Sequence, residues 1–250
     1  LDVFTSPGEL SRGRVAWIKG MLRRAQRHAD AVVVPTHAMA AALAEHTRLG
    51  DRVRAIPGAV PDGFAVPEDA VGRARALDLP SRFIAMTGSA RPSSGIADAL
   101  AALAADPDLS LVVIDVPATD AEALTALAAE AGLVGRVLLL GALDAADRAT
   151  TLSAAEAFVA TGTSTGFAWR MVEAFTLGTP VIARDTATHR ELAADAAVFV
   201  DDNARDAPAL TSVLGDADSV KRLGVLGQDR SRAFAWRDVG DRVWSLHAEI

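Results

Sequence analysis

From residue 82 onward, short uninterrupted apolar runs alternate with stretches long enough for helices. The runs are RFIAM, SLVVI, RVLLL, AFVA, PVIA and AVFV, and between the first four lie GIADALAALAA, DAEALTALAAEAG and DAADRATTLSAA. A strand that is apolar at every position, rather than at every second one, is buried on both faces, and a strand followed by a helix pairs in parallel with a later strand. The pattern predicts an α/β fold over residues 72–235, a doubly wound parallel sheet with helices on both sides. Ligands of such sheets bind at the carboxyl ends of the strands, where successive loops splay apart.

Upstream, residues 1–58 predict a partial α/β piece. Val15, Ile18, Leu22, Ala25 and Ala29 recur at three- and four-residue steps and make an amphipathic helix over 15–29. AVVVP at 31–35 reads as a buried strand, Thr36 as the cap of a helix over 37–46, and 53–56 as a second strand. Residues 59–71, rich in Pro, Asp and Gly, read as a linker. With 250 residues, half of them apolar, the chain can bury a sizeable core.

Composition removes several classes of function. The chain has no cysteine, so disulfides, thiolate metal sites and cysteine nucleophiles are excluded, and five scattered histidines suggest no metal centre. No apolar run reaches about 18 residues, and the first residues lack the order of a signal peptide, so a cytoplasmic location is expected. Residues 1–60 hold nine Lys and Arg against five Asp and Glu in a chain of net charge −7, so the remainder is strongly acidic and no nucleic-acid partner is expected. Arg23, Arg24 and Arg27, with Trp17 and Met21 nearby, leave two readings of the first long helix: a solvated basic face, or a peripheral membrane contact.

The stretch 157–184, AFVATGTSTGFAWRMVEAFTLGTPVIAR, reads as strand, Gly-rich loop, helix, Gly-Thr-Pro turn and strand. The helix opening near Phe167 aims its free N–H groups at whatever the loop holds, which suits an anion. No G-x-x-x-x-G-K-[ST] is present, no G-x-G-x-x-G follows the first strand of the main sheet, and no nucleophile elbow occurs.

Gly166, Phe167, Glu173, Ala174, Gly178, Pro180, Val181 and Ile182 fall on the pattern E-G-F-G-x-P-x-x-E-A-x-x-x-G-x-P-V-I. The stretch thereby resembles the donor-sugar loop of the retaining GT-B glycosyltransferases of family 4 (group 1), and the chain as a whole is similar to actinobacterial mannosyltransferase-like members. The resemblance implies that the chain is the nucleotide-sugar-binding half of such an enzyme. Residues 1–58 would be the tail of an N-terminal acceptor domain that is largely missing, and residues 236–250 a helix packing back toward that piece. It further implies a nucleotide-sugar donor, with GDP-mannose the guess, and no other cofactor or metal. A missing N-terminal domain or partner chain would be required, so the isolated chain is expected to be inactive.

Donor-binding positions implied in the same way are Gly88, Ser89, Arg91, Ser94, Gly141, Thr165, Gly166, Phe167, Ala168, Arg170 and Glu173, with Glu173 accepting from ribose hydroxyls and Gly141 beside the base. No catalytic residue is assigned. Several positions depart from the family pattern. In G-R-x-x-x-P-x-K-G the cationic places are Ser89 and Ser94, the first Glu of the donor loop is Thr165, the later Gly and Pro are Ala168 and Trp169-Arg170, and the Gly after the second strand is Asp115. Losing two charge-assisted contacts removes about 3–6 kcal/mol of diphosphate stabilisation, roughly two to four powers of ten. Lys19 and Lys221 are the only lysines, so Arg91 and Arg170 are either a relocated clamp or solvated surface residues. His189 reads as a surface residue, and Glu191 matches a position the family keeps. Two expectations follow: a glycosyltransferase half with a degraded clamp, or a non-catalytic pseudo-glycosyltransferase serving as a binding or scaffold module.

Overall fold

The computed structural model describes residues 2–163, 166–200 and 213–250. Strands β1 (Val32–Val34) and β2 (Val53–Ala55) pair in parallel as a small sheet. Strands β3 (Phe83–Thr87), β4 (Ser110–Ile114), β5 (Val137–Leu139), β6 (Ala157–Ala160), β7 (Val181–Arg184) and β8 (Ala197–Val200) form a second sheet in the order β5-β4-β3-β6-β7-β8, every pair parallel. The helices are α1 (Asp2–Thr5), α2 (Arg12–His28), α3 (His37–His46), α4 (Ala70–Ala76), α5 (Ile96–Leu103), α6 (Ala121–Glu130), α7 (Ala145–Ala154), α8 (Trp169–Leu177), α9 (Ala187–Ala193), α10 (Ala217–Ser231) and α11 (Trp236–Glu249). No described helix is long and apolar enough to cross a membrane.

The strand order positions the site. The chain lays β3, β4 and β5 outward in one direction, then returns to set β6 on the other side of β3 and continues through β7 and β8. The loops leaving β3 and β6 therefore diverge and open a gap at the carboxyl ends of these two strands. Because strand side chains alternate between faces, the sheet carries two cores. Phe83, Ala85, Ile114, Phe158 and Val181 meet Leu152 of α7 and Met171, Val172 and Phe175 of α8 on one side. Ile84, Met86, Leu111, Val113 and Ile182 meet Ile96, Leu100 and Leu103 of α5 and Leu124 of α6 on the other.

Two expectations change. The segment 59–71 is not a solvated connector: Ala59, Val60 and Phe64 are buried, and Val60 and Phe64 join the core of Phe83 and Phe175. Its prolines and glycine set the turns, while its apolar residues do the packing. The run at 31–35 is only half buried, since β1 sits in a two-stranded sheet and Val33 is 50% exposed whereas Val34 is covered.

The N-terminal piece has a small core: Val34, Leu43 and Leu49 cluster with partly covered neighbours, and Val3 and Ile56 are buried outside that cluster. At about 1.5–3 kcal/mol per buried side chain, so few residues do not offset about 1–2 kcal/mol of backbone entropy for each residue ordered. The piece therefore depends on docking. Val239 of α11 packs with Ile56 and Ala59. Glu191 at the end of α9 accepts from both His37 N–H and Ala38 N–H at 2.7 Å, satisfying the first free donors of α3 alongside the Thr36 cap. Arg230 in turn donates to the carbonyls of Glu191 and Leu192 at 2.7 Å. Replacing Glu191 with Ala removes two charge-assisted bonds. Amide exchange at residues 37–40 should accelerate about tenfold to a hundredfold, with β3 and β6 unchanged, as read by hydrogen–deuterium exchange.

Candidate active site

The gap between β3 and β6 is a crevice of about 410 Å³. Its first wall is the loop after β3, where Gly88, Ser89, Ser93 and Ser94 face the cavity. The loop closes through Gly95, whose φ of +71° and whose missing Cβ, 2.3 Å from the Thr161 carbonyl oxygen, leave no room for another residue. Thr161 Oγ1 donates to the Gly95 carbonyl at 2.8 Å and Thr163 N–H to the Ser93 carbonyl at 2.9 Å, so the loops after β3 and β6 are bolted together at their base. Ser94 Oγ–H is spent on the Ser89 carbonyl at 2.7 Å. That hydroxyl retains lone pairs only and has no proton to offer a phosphate.

The second wall is the turn into α8, with Gly166, Phe167, Ala168, Trp169 and Arg170. Phe167 stands edge-on to Trp169 at 4.8 Å, and the Trp169 indole lies so close to Gly58 that a Cβ there would approach it to 2.3 Å. The entry to α8 is thereby held against the end of the N-terminal piece.

Charge is concentrated in one chain of alternating sign. Asp115, at the end of β4, accepts from Arg170 Nε at 2.6 Å. Arg170 Nη1 donates to Glu173 Oε1 at 2.9 Å, and Arg148 of α7 donates through Nε to Glu173 at 2.9 and 3.2 Å. Arg148 also donates to the Leu143 carbonyl at 2.9 Å and lies over the Phe64 ring. Glu173 is 3% exposed and both its oxygens accept from guanidinium groups. Burial disfavours the Arg170 cation, but its bonds to Asp115 and Glu173 outweigh this and raise its pKa. Among the described residues on the walls, Arg170 is the sole Lys or Arg.

Two further groups, Glu9 and Arg184, have no counterpart in the sequence analysis, and a third, His189, departs from it. Glu9 reaches 84 residues across the chain to accept from Ser93 N–H at 3.1 Å and from Ser93 Oγ–H, so a carboxylate stands at the rim. Arg184 is buried at the end of β7, donating to the Thr161 carbonyl at 2.6 Å and pairing with Asp98. His189, expected at the surface, is 5% exposed and lines the crevice, with Nδ1 2.9 Å from the Arg184 carbonyl. Burial pushes its pKa below the usual value and the nearby Arg184 charge adds to the shift, against the opposing bond to that carbonyl. Among the described residues no three His, Asp or Glu side chains gather as a metal site.

A family model for glycosyl transferases of group 1 matches residues 72–225. The chain belongs to that family. Among solved structures, sucrose-phosphate synthase from Thermosynechococcus elongatus superposes with a TM-score of 0.79 at 24% identity, over 92% of this chain and 61% of that one. HepE of Anabaena, solved with UDP and glucose, gives 0.84 at 18% identity over 98% and 69%, and a glycosyltransferase from Rickettsia africae 0.75 at 16% over 88% and 63%. At these identities the likeness is one of fold, and this chain spans about three fifths of the synthase it matches. No curated protein sequence matches it.

In this group 1 glycosyl transferase, Gly88, Ser89, Ser94, Gly166, Phe167, Ala168 and Arg170 come together on one crevice. Arg91 does not. It is exposed outside the walls, as is Gly141 after β5. Thr165 lies outside the described residues. Glu173 does not line the cavity: it sits beneath Arg170, with Oε1 accepting from Arg148 and Arg170 and Oε2 from Arg148. Removing one member of such a buried group leaves uncompensated charge and costs about 3–5 kcal/mol. Glu173→Gln should lower the urea unfolding free energy by about that amount, whereas a Glu173 that served only a ligand would leave apo stability unchanged.

Proposed function

We propose that this chain is the donor-binding half of a hexosyltransferase that uses a nucleotide diphosphate sugar, and that transfer is retaining and metal-independent. The single supporting observation is Arg170, a cation fixed on the wall of the switch-point crevice beside the N-terminus of α8. The complexes of HepE with UDP, with UDP and glucose, and with UDP-glucose suggest the ligand class. In transfer, the bond from the sugar's anomeric carbon to the diphosphate oxygen breaks, a bond to the acceptor oxygen forms on the same face, and the acceptor hydroxyl's proton passes to the leaving diphosphate oxygen. Negative charge grows on the leaving diphosphate, and Arg170 at the opening of α8 is placed to meet it. The acceptor would approach from the side of the N-terminal piece. Glucose and mannose, on UDP or GDP, are the sugars to test, GDP-mannose being the donor that the resemblance favours.

A second reading, a non-catalytic module, is supported by the same ion chain. Asp115 and Glu173 already neutralise Arg170, and serines stand at both cationic places of the loop after β3. The two readings separate at Asp115, whose φ of +57° suits glycine. Asp115→Gly deletes the competing carboxylate and relaxes the backbone. On the enzyme reading, calorimetry should show UDP-glucose or GDP-mannose binding strengthened about tenfold, the worth of one charge-assisted bond. Silence from both wild type and Asp115→Gly, with binding gained only by Ser89→Arg and Ser94→Lys together, would leave the module reading standing.

A further inference from the structure

His189 has a fixed tautomer and an open nitrogen. A backbone carbonyl only accepts, so the 2.9 Å contact between Nδ1 and the Arg184 carbonyl places the proton on Nδ1 and leaves Nε2 with its lone pair. Burial keeps the ring neutral, with the Arg184 cation opposing any second proton. Among the described residues Nε2 makes no hydrogen bond, and His189 lines the crevice, so its lone pair is left for a ligand there. A neutral acceptor repels a phosphate oxygen and attracts a hydroxyl.

The position of His189 says which hydroxyl. Asp115 and Pro117 close the crevice on the β4 side, and His189, from the first turn of α9 after β7, closes it on the other. Two residues later Glu191 grips α3, so the His189 end adjoins the N-terminal piece. In a transfer reaction the sugar, not the base, has to face the other half. We propose that His189 Nε2 accepts a hydrogen bond from a hydroxyl of the donor's hexose and is a sugar-recognising residue of this site. This rests on the donor-binding reading above.

The test compares UDP with UDP-glucose, and GDP with GDP-mannose, on the whole chain. His189→Leu should weaken the sugar nucleotide about threefold to tenfold, the worth of one neutral hydrogen bond, and leave the bare nucleotide unchanged, while His189→Gln, which keeps an acceptor, restores part of the difference. In wild type, the Nε2 resonance of nitrogen NMR should move on adding the sugar nucleotide and stay still with the bare one. Equal losses for both ligands mean loop damage, and no loss means no contact; either overturns the assignment while the donor reading stands. A wild-type chain that binds none of the four overturns the donor reading and this inference with it.

Discussion

Glu173 holds two guanidinium groups at once, and the shape of the crevice follows from that. Arg148 comes from α7, Arg170 from α8, and Asp115, which takes the far side of Arg170, from the end of β4. β4 belongs to the half of the sheet laid down before the switch, and α8 to the half laid down after it. The ion chain therefore crosses the gap that the topology opens. A buried ion pair is not by itself a source of stability, because desolvating its members costs as much as their attraction returns. Its value lies in direction: with one carboxylate on each side, the Arg170 guanidinium has one place to be.

The same loops that wall the crevice also hold the N-terminal piece. Glu9 sits on Ser93, the Trp169 indole covers Gly58, and Glu191 caps α3 from the helix that carries His189. A piece whose own core is so small takes its position from these contacts. A ligand that shifts the loop after β3 or the turn into α8 consequently shifts the support of the piece, so occupancy of the crevice and docking of the N-terminal segment are energetically linked through shared residues.

Much of this architecture is legible in the sequence because it is local. RFIAM and SLVVI announce strands buried on both faces, Gly95 and Pro92 the loop between β3 and α5, and Gly166 and Gly178 the ends of the donor turn and of α8. What is not legible is pairing at a distance. Nothing in the neighbourhood of Arg148 tells that it will meet a carboxylate 25 residues later, or that Glu9 will reach Ser93. Arg184 carries the nearest thing to a signal, a charge ending the otherwise apolar run VIAR, which is tolerable only where buried acceptors such as the Thr161 carbonyl await it. Glu173 is legible by half: the pattern places it correctly on α8, yet its partner Arg148 comes from α7.

Asp115 shows how the site balances. A non-glycine residue at φ +57° carries roughly 1–2 kcal/mol of backbone strain that glycine would avoid. Strain of this kind persists only where something nearby offsets it, and here the offsetting contact is the 2.6 Å bond to Arg170. The carboxylate thus lowers the net charge of the crevice while fixing the Arg170 cation in place. With Ser94 donating to the Ser89 carbonyl instead of a lysine reaching inward, the electrostatic grip on a diphosphate is smaller than two cations would give. The remaining selectivity has to come from hydrogen bonds to neutral groups. If the crevice takes the nucleotide sugar proposed above, selectivity there would rest less on the charge of the nucleotide than on the hydroxyls it carries, which a neutral acceptor such as His189 can meet.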